Sequence, residues 1–294
     1  MCKSAGRKMI KICAFADEAD QQLDGQIAAL KRNGVSLIEI RGINGKNVST
    51  LTTEEAEEYS ATLKKEGITV WSIGSPLGKI SIDKDIEEHM ELTRHVCRLA
   101  KIFGTNKIRM FSFYKAKKKE ELVFDALRRM VEIAREENVQ LYHENEGKIY
   151  GDVPDRILKI MENVEGLKYV YDPANFLNDG ISPEESITKL YDKTDYFHVK
   201  DVIAETKEQV PAGYGNGRID ELLRNIPDDK MAVFTIEPHL KVVSPDNTEE
   251  IEELKSNGKM YYTGSNEAFD AAINALRNLL SQVGFTETDG VFYK

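Results

Sequence analysis

The chain has 294 residues, 41% of them hydrophobic and 31% charged, and no apolar run approaches the roughly 20 residues a bilayer crossing needs, which excludes a membrane span. Its net charge of -10 argues against nucleic acid as the main partner, because phosphate binding draws on clustered Lys and Arg. Cys2, Cys13 and Cys97 are odd in number, far apart and without a CxxC pair, so neither a disulfide framework nor a zinc knuckle is expected and a reducing cytoplasm fits best.

The start, "MCKSAGRKMIKICAFADEAD", is basic like the first segment of a signal peptide, but Lys11 breaks its apolar run and Asp17 and Glu18 stop it. Residues 1–8 therefore read as a tail before a first strand. Eight runs rich in β-branched and aromatic residues follow in order: 9–16, 35–41, 68–74, 106–113, 139–144, 167–172, 195–201 and 231–238. Between them, apolar residues recur at helical spacing, as in Leu23, Ile27 and Leu30, or Leu127, Met130 and Ile133. Gly34, Gly67 and Gly104 stand where helices end, and Ser182-Pro183-Glu184-Glu185 has the form of a helix start. Strands alternating with helices imply parallel pairing. Eight such units predict a single-domain (β/α)8 TIM barrel over residues 1–294, with an open doubly wound sheet as the alternative.

Three connecting stretches carry their own expectations. "FADEADQQ" after the first strand lacks a Gly-rich dinucleotide fingerprint. "GYGNG" (213–217) falls after the seventh strand, where barrels often hold a phosphate, although a flexible connector is the plainer reading. The long loop 240–265 follows the last strand and is placed to fold over the barrel mouth. The one basic cluster, "YKAKKKEE" (114–121), reads as a solvated loop and helix start.

Barrel chemistry collects at the C-terminal ends of the strands, and four successive strands end in polar groups: Glu144, Asp172, His198 and Glu237. One such residue alone is usually a cap or a turn residue. Four together would repel one another at a barrel mouth unless a cation neutralised them. Three carboxylates and one imidazole, without thiolates, suit one divalent ion, Mn2+ foremost and otherwise Mg2+, Co2+ or Zn2+.

The motifs "YHENEG", "YDPANF", "FHVKD" and "TIEPHL" resemble, in order and type, the metal-ligand motifs of the xylose isomerase-like TIM barrels, a family of sugar phosphate isomerases and epimerases. The resemblance spans nearly the whole chain. It implies that Glu144, Asp172, His198 and Glu237 hold one metal ion and that Glu144 and Glu237 also move a proton on and off the carbon beside a carbonyl. A metal-stabilised enediolate is the physical rationale. Two neighbours depart from the family pattern: Asn175 stands where many relatives carry His, and Lys200 follows His198 where the epimerases have Arg. Those departures keep open a metal-dependent lyase or dehydratase acting on a keto-sugar or hydroxy acid. A non-catalytic carbohydrate-binding barrel is a third reading, and a metal-rich endonuclease of similar fold is disfavoured by only five His and an acidic surface.

Asn175, Lys200, His239, Arg109 and Trp71 are the candidate substrate-binding residues, with core packing the alternative for Trp71 and ion pairing the alternative for Arg109 and for Glu39 and Arg41. A salt bridge to Asp201 is the alternative for Lys200, and a loop hydrogen bond for His239. His89 and His95 are assigned to helix packing. If Glu144 faces the axis, alternation turns His143 and Asn145 outward, while Glu146 lies past the strand end. The expected partner is a small carbohydrate, with no nucleic acid and no membrane, and with homo-oligomers left open.

Overall fold

The computed structural model describes residues 7–294. Cys2 and most of the expected tail lie outside the described residues. Every run read as a strand is one: β1 (Met9–Ala14), β2 (Leu37–Ile40), β3 (Thr69–Gly74), β4 (Lys107–Met110), β5 (Gln140–Glu144), β6 (Lys168–Tyr171), β7 (Tyr196–Val199) and β8 (Met231–Ile236). Each pairs in parallel with the next. β8 returns to β1 over six residue pairs, from Met231↔Met9 to Ile236↔Ala14, so the sheet is closed and the open-sheet alternative is excluded. The fold is a single-domain (β/α)8 TIM barrel.

The outer ring is α1 (Leu23–Arg32), α2 (Thr53–Lys65), α3 (Ile86–Ile102), α4 (Glu120–Glu136), α5 (Pro154–Asn163), α6 (Pro173–Asn178), α7 (Pro183–Leu190), α8 (Ile219–Arg224), α9 (Thr248–Ser256) and α10 (Ser265–Gln282). Each long helix buries one stripe; on α4 it is Val123, Leu127, Met130 and Ala134, at the spacing that keeps side chains on one face. Truncating such a buried side chain to Ala costs about 2–5 kcal/mol. The boundary signals hold: Gly34, Gly67 and Gly104 have φ of 59°, 75° and 74°, and Ser182 Oγ accepts the Glu185 N–H at 3.2 Å. Among the described residues no helix is long and apolar enough to cross a membrane. Cys13 and Cys97 are both buried and free.

Strand alternation sends every second side chain into the barrel. Cys13, Leu37, Val170, Tyr196 and Val233 form a floor layer, against which Tyr142 and Trp71 pack. The register of β2 on β3 slips by one, since Ile38 pairs with Val70 but Glu39 with Ser72, and Trp71 is the extra residue of a bulge. Only Cys13 and Ala14 of β1 pair with β2. The start of β1 is covered instead by a C-terminal hairpin of β9 (Thr286–Thr288) and β10 (Val291–Tyr293), with Met9 and Ile10 pairing to Tyr293 and Phe292.

The stretch 240–265 is not a plain loop. It carries α9, and its ends are zipped by Val243 N–H to Tyr262 O and Tyr262 N–H to Lys241 O, both 2.9 Å. Its far end meets the turn after β7, where Met260 N–H donates to Glu208 Oε1 at 3.0 Å.

Candidate metal centre

Four strand ends deliver the expected quartet to one place. Glu144 is the last residue of β5, Asp172 follows β6, His198 lies in β7, and Glu237 follows β8. Their exposures are 2%, 0%, 0% and 6%, which makes them interior groups although three are carboxylates. Each offers a ligand atom, and those atoms all lie within 4.8 Å of one another. His198 Nδ1 is 3.0 Å from Glu144 Oε1 and 3.4 Å from Glu237 Oε2.

Three of the converging atoms, His198 Nδ1, Asp172 Oδ2 and Glu237 Oε2, are buried and make no aligned hydrogen bond among the described residues, with only one another, Glu144 and the Lys200 ammonium nearby. Buried acceptors aimed at a common point have the form of a cation site. The donor set, three oxygen ligands and one imidazole, fits a divalent ion.

Fixed cations surround the quartet. Arg109 Nε is 3.1 Å from Glu144 Oε2, Lys200 Nζ is 3.0 Å from Asp172 Oδ2 and 3.6 Å from Glu237 Oε2, and Arg41 Nη1 is 3.0 Å from Glu237 Oε1. Burial pushes the Asp172 carboxyl up to about 6, against the pull of Lys200. Burial works in the same sense on Glu144, but His198 and Arg109 outweigh it and hold the carboxyl at about 2. Glu237 is likewise held well below the carboxylate range: burial opposes this, and Lys200 and His198 prevail.

The neighbours sort by what they touch. Asn175 Nδ2 donates to Asn145 O at 2.9 Å and reaches Glu144 Oε1 at 3.3 Å, while its backbone N–H caps onto Asp172 Oδ1 at 3.0 Å. Asn145 ties β5 to β6 through Asp172 N–H and O and the Tyr169 hydroxyl. His143 faces outward, stacked on Tyr169, and Glu146 pairs with Lys79 at 2.8 Å. His89 accepts the Gly78 N–H at 2.9 Å and His95 Nε2 contacts Leu51 O at 3.0 Å, as helix-packing residues do.

His239 reaches the site by an unexpected route. It adopts a left-handed φ of 47°, unusual for a side chain of its size, with its N–H donating to Glu18 Oε2 at 2.8 Å. Its Nε2 then lies 3.1 Å from Glu18 Oε1 and 3.3 Å from Glu237 Oε1. Burial opposes its protonation, yet Glu18 and Glu237 raise its pKa to about 9. Glu18, Glu237 and His239 also form a metal-like trio, but the Arg41 guanidinium already stands among them, 3.0 Å from Glu237 and 3.4 Å from Glu18.

Geometry bears on four alternatives that the sequence leaves open. Trp71 is not at the mouth: the bulge sets it on the barrel floor, edge-on to Tyr196 at 6.0 Å and under the Lys107 ammonium at 4.3 Å, one layer below His198. Lys200 does not pair with Asp201, because alternation turns the two apart. "GYGNG" wraps Asp201 instead: its carboxylate accepts the N–H groups of Val202, Gly213, Gly215 and Gly217 at 2.8–3.0 Å, which leaves those loop donors no phosphate to hold. Arg109, proposed for substrate, is committed to Glu144 and to Ser75 O at 2.8 Å.

Sequence reasoning undervalued Glu39. It is fully buried beneath His198, 3.3 Å from Nε2, and only its shared parity with Arg41 hinted that it faces inward.

Comparison with known proteins agrees with this architecture. A family model described as the xylose isomerase-like TIM barrel matches residues 27–256, from α1 to α9. A 3-dehydroshikimate dehydratase of Bacillus anthracis is 25% identical over 178 residues, 58% of this chain and 63% of that protein, so the match spans less than two thirds of that relative's length. Among solved structures, the IOLI protein with a bound zinc atom superposes with a TM-score of 0.70 at 16% identity, covering 93% of this chain and 99% of that one. D-allulose 3-epimerase of Methylomonas sp. gives 0.66 at 14% identity, covering 94% and 100%. The chain belongs to the xylose isomerase-like TIM barrel family.

Proposed function

We propose that this protein is a divalent-metal-dependent isomerase or epimerase of a small, unphosphorylated sugar or keto-sugar. The carrying observation is the convergence of buried ligand atoms from Glu144, Asp172, His198 and Glu237, all within 4.8 Å of one another. Mn2+ is the proposed ion, with Mg2+, Co2+ or Zn2+ compatible with the same donors. When bound, the ion supplies Lewis-acid polarisation of a substrate carbonyl and offsets the negative charge that develops beside it.

The protein's own groups do the rest. Glu144 and Glu237 approach from β5 and β8 on either side of His198, so one carboxylate accepts the proton from the carbon next to the carbonyl and the other returns one. Against the effect of burial, His198 and Arg109 keep Glu144 ionised, and Lys200 and His198 keep Glu237 so. Lys200 and His239 bind substrate oxygens, Asn175 holds Glu144 in place, and burial of the quartet keeps bulk water from the carbanion-like centre. Charge supports an unphosphorylated substrate: Arg41, Arg109 and Lys79 are each paired with a carboxylate, and the Gly-rich loop is committed to Asp201.

A second reading has one specific observation behind it. Lys200 places an ammonium 3.0 Å from Asp172, where its N–H groups can hydrogen-bond a departing hydroxyl and offset its charge, and the 25% identical relative is a dehydratase. That reaction begins with the same proton removal and ends with loss of the neighbouring hydroxyl. Incubating the Mn2+-loaded protein in deuterated water with a panel of aldoses, ketoses and keto-acids, followed by proton NMR, separates them. Deuterium in an isomerised product supports the isomerase; an unsaturated product supports the dehydratase. Sugar binding without turnover under any metal overturns both in favour of a non-catalytic barrel.

A further inference from the structure

Beneath the centre lies a carboxylate as completely buried as the centre itself. Glu39, on β2, is 0% exposed, and each of its oxygens faces two groups. Oε1 accepts from Tyr196 Oη at 3.0 Å and Ser72 Oγ at 3.4 Å; Oε2 accepts from Thr235 Oγ1 at 3.1 Å and faces His198 Nε2 at 3.3 Å. The partners come from β3, β7 and β8, and Ser72 reaches Glu39 because the bulge at Trp71 turns it inward. Burying a carboxylate this deeply is expensive, and three hydroxyls are a costly escort unless the fourth partner matters.

The fourth partner is the only nitrogen ligand of the quartet. An imidazole has two nitrogens, and which one carries the proton is set by the bond the other makes. His198 presents Nδ1 to Glu144 and Glu237 and Nε2 to Glu39, while Phe15 and Tyr196 stand edge-on to the ring at 5.1 Å and 5.6 Å and oppose a flip. We infer that Glu39 is the positioning residue of the centre: it holds the proton of His198 on Nε2 and so presents the Nδ1 lone pair to a divalent ion. The inference rests on the quartet being a metal site, not on which reaction that site performs.

Two measurements on the full chain test it. In Zn2+-loaded protein labelled with 15N-histidine, long-range proton–nitrogen spectra are expected to show His198 protonated on Nε2 and metal-shifted at Nδ1, with the signal assigned by its loss in His198→Ala. In a Mn2+ titration followed by electron paramagnetic resonance, Glu39→Gln is expected to lose about 10–100-fold in affinity, the range typical of removing such a partner. Thr235→Val takes one hydrogen bond from Glu39 but leaves its charge, so a merely structural role would weaken both variants alike and overturn the inference. Protonation on Nδ1 would also overturn it, as would wild-type affinity in Glu39→Gln, and the wild-type spectra carry the test should Glu39→Gln fail to fold. A wild-type protein that takes up neither Mn2+ nor Zn2+ sinks the metal centre itself, an outcome distinct from these.

Discussion

Lys200 and Asp201 are neighbours in sequence, and each leads to a buried carboxylate site of opposite character. Asp201 turns outward into the Gly-rich loop, where four backbone N–H groups saturate its two oxygens. Lys200 turns inward to a quartet in which Asp172 Oδ2, Glu237 Oε2 and His198 Nδ1 converge on one point and, among the described residues, face only one another, Glu144 and the Lys200 ammonium. The first arrangement is saturated by the backbone and holds a loop in shape. The second gathers three carboxylates and an imidazole with no aligned hydrogen bond at those three atoms, which is how a functional site differs physically from a structural one at equal burial.

The sharpest way to break that contrast is to neutralise a carboxylate on the inward side. Glu144→Gln and Glu237→Gln are each expected to lower turnover roughly 10²–10⁴-fold, the range for losing a proton-transfer group, and to reduce bound metal in the same preparation. Metal analysis beside a product assay checks this; full metal content with unchanged rate would end the assignment. On the outward side, Asp201→Asn replaces two acceptor lone-pair sites with donors and strands at least two of the four N–H groups. A buried donor left unsatisfied costs about 1–3 kcal/mol, so denaturant titration should show a loss of that size for each, with Mn2+ affinity unaltered. A variant that keeps its stability and loses metal would reverse the roles of the two sites.

How much of this was legible in the sequence depends on how far each feature reaches. The eight strands and the quartet are local: β-branched runs mark the strands, and a polar residue at the last inward position marks each ligand. Of the two readings of Trp71 core packing holds, but the bulge that sets it there is not legible, since one extra residue in β3 is invisible without knowing that Glu39 pairs with Ser72. Glu39 itself could not be ranked, since its partners Ser72, Tyr196 and Thr235 meet only once the barrel closes. The choice between phosphate site and connector for "GYGNG" was hidden for a similar reason. Glycines that free backbone N–H groups to cradle an anion look the same in sequence whether the anion is a ligand or the chain's own Asp201.

The same loop provides a smaller, purely steric prediction. A Cβ on Gly215 would stand 2.4 Å from Asp201 Oδ1 and 2.6 Å from Val202 O, closer than any side chain tolerates. Gly215→Ala is therefore expected to cost about 1–3 kcal/mol through overpacking, with the metal site untouched. Thermal unfolding with and without Mn2+ checks both halves: an unchanged melting temperature would mean that the loop gives way and Asp201 is not held as tightly as its four bonds suggest.

The last expected effect is on pH, and its sign differs between folding and binding. Asp172 has its folded pKa raised by burial to about 6, above an unfolded value of about 3.9, so between those values the native state binds more protons than the unfolded chain. Its contribution to the stability of the metal-free protein accordingly falls as pH rises through that window, at no more than about 1.4 kcal/mol per unit. Metal binding runs the other way, because only the ionised carboxylate and the neutral imidazole are ligands. Affinity should climb with pH, by up to about tenfold per unit more below pH 6 than above it, where His198, its pKa raised against the effect of burial by Glu144 and Glu39, still has a proton to lose. Glu144, held at about 2, is already ionised throughout and adds no slope there. Calorimetric Mn2+ titrations at pH 5, 6 and 7 give the curve, and Asp172→Asn should remove the extra steepness below pH 6 while weakening binding overall. Extra steepness that survives in Asp172→Asn would assign that proton to another group.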